Sequence, residues 1–267
     1  TKVGGGTLTL TLVSSNTGPV TINGGKIALS GLGAFTKAPL VLGAGGSLDV
    51  TGIGGTLTLN AGQTLSGNGT LTGALSAPAG SIVAPGLPMG TLTVSGSATI
   101  SGTYQPNLNR TNVTDCSTLT ASGGATFAGA TLSVTNLGPR LQVGDVFQLF
   151  PSATAGFTTY ALQANDAANN AVYTWNNTVA TDGKITVASV ADLVNTNVTS
   201  VMFTNSGSAL TLSWPVDHTG WTLQSQTNTL GVGLGTNWVD VPGSTTTNTV
   251  VIPIGPRNGS VFFRLKY

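Results

Sequence analysis

The chain has 267 residues, of which 40% are hydrophobic and only 6% are charged, and its formal net charge is +1. Average soluble proteins carry about 25% charged residues, so composition gives no electrostatic reason to expect nucleic acid or an anionic membrane as a partner. The one cysteine, Cys116, excludes an intramolecular disulfide framework, and the interpretations are a tolerated buried thiol or an intermolecular disulfide.

The N-terminal stretch TKVGGGTLTLTLVS alternates Thr and Leu, which predicts a half-buried strand over residues 7–12. We expect Leu8, Leu10 and Leu12 to face the core and Thr7, Thr9 and Thr11 to face outward. Because a strand needs neighbours for its backbone groups, the outer edge of this strand predicts a covering element. That element is either an upstream segment or another copy of the protein, which makes residues 7–12 a candidate subunit interface.

Short strands recur along residues 1–105, separated by Gly- and Asn-rich corners. The predicted strands are 7–12, 19–22, 26–29, 39–42, 47–50, 56–59, 70–73, 91–94 and 98–101. Related phrases return at intervals of roughly 15–20 residues, which favours a stacked β-solenoid over a series of hairpins. Leu and Val then fill the interior, and Thr forms ladders outside.

The later part of the chain predicts a cap, a linker and a second module. FAGATLSVTNLG (127–138), RLQVGDVFQLFPS (140–152) and GKITVASV (183–190) predict the last coils and a cap, so that the solenoid extends over 1–190. The polar stretch 191–200 predicts a linker. Longer, more aromatic strands over 201–267 predict a small antiparallel β-sandwich.

Several phrases carry a resemblance to a known family. TKVGGGTLTL (1–10), APG (84–86) followed by MGTLTVSGSATISGTY (89–104), and the region 119–150 resemble the autotransporter-associated β-strand repeat of bacterial surface proteins. The tail resembles a terminal β module of secreted proteins from Verrucomicrobia-like bacteria. The resemblance implies a right-handed parallel β-helix, export to the cell surface or beyond, and no catalytic motif.

Candidate catalytic groups are few and scattered. There is no Glu, and the Asp residues form no Asp-x-Asp or Asp-Asp pair such as a glycosidase-like site would suggest, although folding could still bring two together. Asp145 and Asp182 have the context of turn residues, and the lone His218 is typical of a turn between two strands. Zinc needs three or four ligands, which one His, one Cys and no Glu do not supply. We therefore expect no catalysis, no metal site and no cofactor, with calcium bound through Asp and backbone carbonyls as the alternative left open.

Two kinds of residue leave a carbohydrate role open. Exposed aromatic side chains stack on sugar rings, so Trp214, Trp221 and Trp238 are candidate glycan-stacking residues. A small sandwich needs large side chains for its core, however, which favours a core position for each of them. Acceptor sequences of the form Asn-x-Ser/Thr occur at Asn68, Asn109, Asn112, Asn176, Asn197 and Asn258.

The leading functional hypothesis is a non-enzymatic extracellular or cell-surface structural protein. A solenoid with open ends stacks, and head-to-tail contacts that do not close give a filament, so we expect the protein to be its own partner. The alternatives are an adhesin or glycan-binding module, an inactive fragment of a longer surface protein and, more remotely, a polysaccharide-active β-helix enzyme. No apolar run is long enough to span a bilayer.

Overall fold

A computed structural model describes residues 1–111, 115–255 and 259–267. Contacts divide the chain into two compact units, Thr1–Ala191 and Asp192–Tyr267, so most of the predicted linker groups with the second unit. In the described residues, helix is confined to the α-helix Val179–Asp182 and to 3₁₀ turns at Ala167–Asn169, Val216–His218 and Ser244–Thr246. The predicted all-β fold with a β-solenoid is confirmed, and the solenoid has about 6 turns.

Most strands of the first unit are short because the chain turns a corner after each of them, whereas two longer strands continue through a corner. The strands of this unit are β1 (Thr7–Leu10), β2 (Val13–Ser14), β3 (Val20–Ser30), β4 (Ala34–Phe35), β5 (Leu40–Gly52), β6 (Thr56–Thr58), β7 (Thr64–Gly67), β8 (Thr70–Thr72), β9 (Ala74–Ala77), β10 (Ile82–Pro85), β11 (Thr91–Val94), β12 (Ala98–Ile100), β13 (Thr103–Tyr104), β14 (Asn107–Asn109), β15 (Asp115–Cys116), β16 (Thr118–Ala121), β17 (Ala125–Phe127), β18 (Ala130–Asn136), β19 (Val146–Gln148), β20 (Phe157–Leu162), β21 (Asn165–Asp166), β22 (Ala171–Asn177) and β23 (Lys184–Ala191).

Most of the described solenoid strands stack in parallel ladders on three faces; outside these, β14 pairs in parallel with β18 and antiparallel with β15. Face one is the ladder β1-β3-β5-β8-β11-β16. Face two consists of the pair β2-β4 and the ladder β6-β9-β12-β17. Face three is the ladder β3-β5-β7-β10-β13-β18-β20. β3 and β5 each run along face three, around a corner and into face one.

Stacked positions recur at a longer interval than the sequence pattern predicts. One inward column of face one is Leu8, Ile27, Leu48, Leu71, Val94 and Ala121, in steps of 19 to 27 residues. The predicted interval of roughly 15–20 residues is therefore too short for most turns, because each turn has to cross three faces and their corners.

The interior of the solenoid is a continuous apolar core. Leu48, Leu71, Leu92 and other inward residues of successive rungs are completely buried. The predicted Gly corners are present, but the strands continue through two of them. Gly25, with a φ of +66°, pairs with Gly46, where a Cβ atom would lie 1.8 Å from the Ile22 carbonyl oxygen. Glycine is required at this corner because the stacked backbones leave no space for a side chain.

A small antiparallel sheet follows the last rungs of the solenoid. Its strand order is β19-β23-β22-β21. Phe147, Ile185 and Val187 of this sheet belong to the same apolar cluster as the solenoid interior. The core therefore continues into the segment for which the sequence predicts a cap.

The second unit contains antiparallel sheets. Its strands are β24 (Met202–Asn205), β25 (Ala209–Ser213), β26 (Thr222–Asn228), β27 (Val239–Asp240), β28 (Thr249–Pro253) and β29 (Ser260–Lys266), in the orders β24-β25-β28 and β27-β26-β29. Leu212 of β25 and Trp214, directly after that strand, share an apolar cluster with Leu223 of β26. Antiparallel sheets around a common core agree with the prediction at this coarse level, and face-to-face sandwich packing stays a prediction.

Candidate functional site

The candidate interface predicted from the sequence is the first rung of face one. β1 spans Thr7–Leu10, so the regular strand is two residues shorter than predicted, because the chain turns after Leu10 to enter face two at Val13. β1 pairs with β3 on one side. Among the described residues, no strand pairs with its other edge, so that edge carries backbone groups without ladder partners.

The leucine side chains of this rung are not buried as predicted. Leu8 is 46% exposed and Leu12 is 70% exposed, whereas Leu10 is half-buried. Ile27, which stacks directly on Leu8 in the next rung, is only 3% exposed. The expectation that the core covers the Leu face is therefore wrong for the first rung, because a second neighbouring rung is needed to cover it.

A cavity of about 230 Å³ opens at this end of the solenoid. Its apolar lining includes Leu8, Leu10, Ile27 and Phe35. The Lys2 ammonium lies beside it and donates hydrogen bonds to the carbonyl oxygens of Val3, Gly4 and Gly24 at 2.7–3.0 Å. Lys2 is thus part of the lining of the cavity, and its charge is held by backbone oxygens.

A second cavity, of about 930 Å³, lies at the distal end of faces one and two; we call it the distal cavity. It is lined by β16, by residues 124–127 and by the loop 148–156. β16 pairs with β11 and β17 pairs with β12, and in the described chain no further strand continues either ladder. The described lining residues include no charged side chain.

Phe127 and Phe150 line the distal cavity and belong to an aromatic cluster. Phe127 packs against Phe157 at a centroid distance of 4.4 Å and against Phe150 at 5.3 Å. Tyr104 packs against Phe127 at 5.4 Å. Aromatic contacts of this kind add to area burial, so the distal cavity has an ordered apolar wall, in contrast to the exposed leucines of the first rung.

Cys116 lies next to this wall and is buried, which favours the interpretation of a tolerated thiol. Its Sγ donates a hydrogen bond to the Gln148 carbonyl oxygen at 3.1 Å. Burial, together with the nearby charge of Asp115, raises the pKa of the thiol to about 11. The thiol is therefore protonated at neutral pH and is a poor nucleophile.

Asp145 and Asp182, for which the sequence predicts turn positions, both lie beside turns or helix ends and contact nearby groups. Asp145 accepts hydrogen bonds from the Gln142 backbone N–H at 2.7 Å and from Arg110 Nε at 2.8 Å, beside a turn. Asp182 ends the short α-helix before Gly183. Within residues 1–111, 115–255 and 259–267, no group of three or more His, Cys, Asp or Glu could hold a metal ion.

Asp166 is a buried carboxylate that sequence reasoning missed. Its Oδ2 accepts hydrogen bonds from Asn136 Nδ2 at 3.0 Å, Asn169 Nδ2 at 2.8 Å and the Tyr173 hydroxyl at 3.0 Å. Burial opposes ionisation, but these donors outweigh it and lower the pKa of Asp166. The Tyr173 hydroxyl also accepts from the Leu141 N–H at 3.1 Å, so the network joins β21, β22 and the loop after β18.

His218 lies in the 3₁₀ turn Val216–His218, so the predicted turn position is confirmed. Its ring connects this turn to Asn197, near the start of the second unit. Its Nδ1 lies 2.8 Å from Asp217 Oδ1, and its Nε2 lies 2.9 Å from the Asn197 carbonyl oxygen. Burial lowers the pKa of His218, but the Asn197 carbonyl and the Asp217 carboxylate outweigh it, and the pKa is raised. The Trp221 Nε1 donates to the Asn195 carbonyl at 2.8 Å, so residues 195–197 are attached to this turn.

Two of the three candidate glycan-stacking residues are in the interior. Trp214 is 1% exposed and Trp221 is 8% exposed, so neither ring presents a face on which a sugar could stack. The expected core position is confirmed for both, because a module of this size needs large side chains for its core. Glycan stacking is contradicted for these two residues. Trp238 is half-buried, and the guanidinium of Arg264 lies 4.3 Å from the centroid of its ring, which occupies one ring face.

Of the Asn-x-Ser/Thr sequences, those at Asn68, Asn109, Asn176 and Asn197 lie in the part of the chain that the structure describes. Asn112 and Asn258 lie outside the described residues. None of the described helices has the length and apolarity that a bilayer crossing requires.

Comparisons with protein-family models, with curated proteins and with solved structures gave no match for this chain. The resemblance to the autotransporter-associated repeat and the bacterial source that it implies therefore stay predictions.

Proposed function

We propose that this protein is a non-enzymatic structural protein of the cell surface or extracellular space that assembles head to tail through its solenoid ends. The observation that carries the proposal is the open first rung. Leu8 is 46% exposed at an inward position whose equivalents Ile27, Leu48 and Leu71 are buried in the next rungs. A further rung stacked on β1 would remove this apolar surface from water.

The parallel ladders support assembly by repetition. Strands in all three faces run in the same direction from rung to rung, so a second copy placed along the same axis presents strands of the correct polarity. Such a contact joins two different surfaces and does not close on itself, and it therefore leads to a chain of copies. Backbone hydrogen bonds at the edges supply the attraction, as in strand addition.

Composition supports a surface location in this proposal. Only 6% of the residues are charged, and the exposed sides of the ladders are rich in Thr and Ser hydroxyls. The proposed protein is exported, its solenoid is a right-handed β-helix, and its C-terminal module is a small sandwich that connects or caps the filament.

The test is a concentration series followed by light scattering and electron microscopy. We expect the mass of the full chain to rise with concentration and elongated particles to appear. Leu8→Glu should leave monomers, since a carboxylate at the open rung opposes burial. Leu87→Glu is the matched control, because Leu87 is similarly exposed, at 51%, but lies on a corner within the solenoid. A wild-type chain that stays monomeric at the highest attainable concentration overturns the proposal.

A further inference from the structure

We infer that His218 is a pH switch: its doubly protonated ring holds residues 194–197 against the turn Val216–His218, and its neutral ring releases them. We call residues 194–197 the entry segment, because they lie between β23 and β24, near the start of the second unit. The segment and the turn both belong to the second unit, so the switch does not depend on the proposed assembly of the solenoid.

The entry segment is attached to the turn by several hydrogen bonds. The Asn195 N–H donates to the Asp217 carbonyl oxygen at 2.6 Å, and Asn195 Nδ2 donates to Asp217 Oδ2 at 2.8 Å. The Asn195 carbonyl oxygen accepts from Trp221 Nε1 at 2.8 Å. The segment therefore has a defined place on the turn, and the ring of His218 contacts its last residue, Asn197.

Both nitrogens of the His218 ring face oxygen acceptors. Nδ1 lies 2.8 Å from Asp217 Oδ1, and Nε2 lies 2.9 Å from the Asn197 carbonyl oxygen. A neutral imidazole has one N–H and a histidinium has two, so only the histidinium donates to both oxygens. In the neutral ring, one of the two oxygens faces a nitrogen lone pair and that hydrogen bond is lost. Because His218 is only 4% exposed, water has little access to replace it.

The groups around the ring favour the cation. Asp217, on the same turn, pairs with His218 as a carboxylate. The entry segment reads VNTN and contributes no ionisable side chain. Trp221 packs against the His218 ring at a centroid distance of 5.3 Å, and Tyr267 reaches the cluster through Trp221, at 5.6 Å between those two rings. Burial opposes the charge, but the Asn197 carbonyl and the Asp217 carboxylate outweigh it and raise the pKa of His218.

The working pH range follows from the direction of two pKa shifts. Because the pKa of His218 is raised from 6.5 in the folded state, its stabilisation is fully present below about pH 6.5 and is lost as the pH rises through the folded-state pKa. Asp217 sets the acid limit. The Asn195 side chain, followed by His218, lowers the pKa of Asp217 from 3.8, so its contribution is lost only as the pH falls through that lowered value. The entry segment is therefore held between these limits and released towards alkaline pH.

Release affects the stretch of chain that leads into the second unit. β23 ends at Ala191 and β24 begins at Met202. With a histidinium at 218, the entry segment within this stretch is anchored to the turn at both Asn195 and Asn197. With a neutral ring an anchor is weakened, and local opening of the segment requires less free energy.

Nuclear magnetic resonance of the full chain, below the concentration at which copies assemble, tests the switch. The chain has one histidine, so the imidazole ring-proton signals report on His218 alone. We expect their titration midpoint to lie above 6.5. Through the same midpoint, solvent exchange of the Trp221 indole proton and the Asn195 amide proton should become about tenfold faster, after correction for the intrinsic pH dependence of exchange, since a charge-assisted hydrogen bond is lost.

Two variants separate the charge of the switch from its contacts. Asp217→Asn keeps an oxygen beside Nδ1 but removes the negative charge, so the His218 midpoint should fall towards 6.5 and the exchange transition should move with it. His218→Gln should abolish the exchange transition, because a neutral amide can donate to Asn197 at every pH. Asp240→Asn is the matched control: Asp240 accepts from Gln224 Nε2 at 2.7 Å in the same unit, so the midpoint should not change.

The wild-type titration decides the outcome even if a variant fails to fold. A His218 midpoint at or below 6.5, or exchange that stays constant through the midpoint, overturns the inference. An exchange transition that persists in His218→Gln also overturns it. Coincident midpoints that move together in Asp217→Asn and stay in place in Asp240→Asn support it. A chain that never assembles overturns the proposed function and leaves the switch unaffected.

Discussion

The strands β1 and β11 show how one sequence pattern acquires two environments. β1 reads TLTL and β11 reads TLTV. β11 lies between β8 and β16, and its Leu92 and Val94 are completely buried. β1 has β3 on one side, and its Leu8 is 46% exposed. Alternation decides which way a side chain points, and the number of neighbouring rungs decides whether it is buried.

The two ends of the solenoid differ in a similar way. At the distal end, aromatic rings and a polar network around Asp166 close part of the core. At the first rung, apolar side chains surround an open cavity. In a solenoid each rung contacts only its neighbours, so the terminal rungs are where unsatisfied surface concentrates. This asymmetry is the physical basis of the proposed head-to-tail contact.

The largest expected effect is the difference in unfolding free energy between a substitution in an inner rung and the same substitution in the first rung. Leu92→Ala should lower the free energy of unfolding by about 2–5 kcal/mol, the usual cost of a cavity at a fully buried leucine. Leu8→Ala should cost less than about 1 kcal/mol in the monomer, because about half of the side chain already contacts water. Urea denaturation followed by circular dichroism, at concentrations below assembly, measures both.

Equal losses for the two leucines would contradict the comparison, since they would mean that the first rung is covered in solution. Leu57→Ala serves as a second inner-rung variant, because Leu57 has the same Thr-Leu-Thr context and is 4% exposed. Its loss should be close to that of Leu92→Ala.

An intermediate effect is expected at the closed end. Asp166→Asn should destabilise the protein by about 2 kcal/mol at neutral pH, because hydrogen bonds to a buried carboxylate are lost or weakened. The pKa of Asp166 is lowered in the folded state from 3.8. Its stabilisation is therefore fully present above about pH 4 and decreases as the pH falls through the folded-state pKa. Denaturation at pH 7 and at pH 3 should show the difference between wild type and variant shrinking at low pH.

The control for this pH dependence is Asp182→Asn. The pKa of Asp182 is also lowered, first by the hydrogen bond with the Thr178 side chain, but this carboxylate is exposed. We expect a smaller change in stability than for Asp166→Asn. If Asp166→Asn and Asp182→Asn changed stability and its pH dependence equally, the hydrogen-bond network around Asp166 would not be the cause of the effect.

The smallest effect is expected on the outer side of face one. Lys26 Nζ lies 3.0 Å from Asp49 Oδ2, and the Lys26 side chain is partly exposed. Hydrogen bonds from Thr51, followed by Lys26, lower the pKa of Asp49 to about 2. Lys26→Ala should therefore change the free energy of unfolding by less than about 1 kcal/mol, and Asp49→Asn should cost more because it also weakens the hydrogen bonds with Thr51. Urea unfolding midpoints at low and high salt measure both changes. A larger loss of stability for Lys26→Ala than for Asp49→Asn would contradict the conclusion that Thr51 stabilises the Asp49 carboxylate more than Lys26 does.

Local sequence was sufficient for the class of fold but not for its dimensions. Thr-Leu alternation and Gly corners predict strands that stack as a solenoid, and the ladders confirm it. The repeat length was underestimated, because the sequence does not show that each turn includes three faces. The network at Asp166 was missed since its members, Asn136, Asn169 and Tyr173, are separated along the chain and carry no recognisable spacing.

The sequence indicated where the candidate interface lies, but not how exposed its side chains are or what surrounds them. Alternation singled out residues 7–12, yet it also predicted a buried Leu face, and it gave no signal for the distal cavity. That cavity depends on where the loop 148–156 lies relative to β16 and β17. Similarly, aromatic character could not distinguish Trp214 and Trp221 in the core from Trp238, because burial depends on partners distant in sequence.

The sequence by itself determined the strands, the inward and outward sides of each strand and the corners, since these follow from the two-residue period of a β-strand and from the backbone freedom of glycine. Only the tertiary structure decided which rungs have two neighbours and which have one. Burial is a property of stacked rungs, so TLTL at residues 7–10 is an exposed edge while TLTV at residues 91–94 is core.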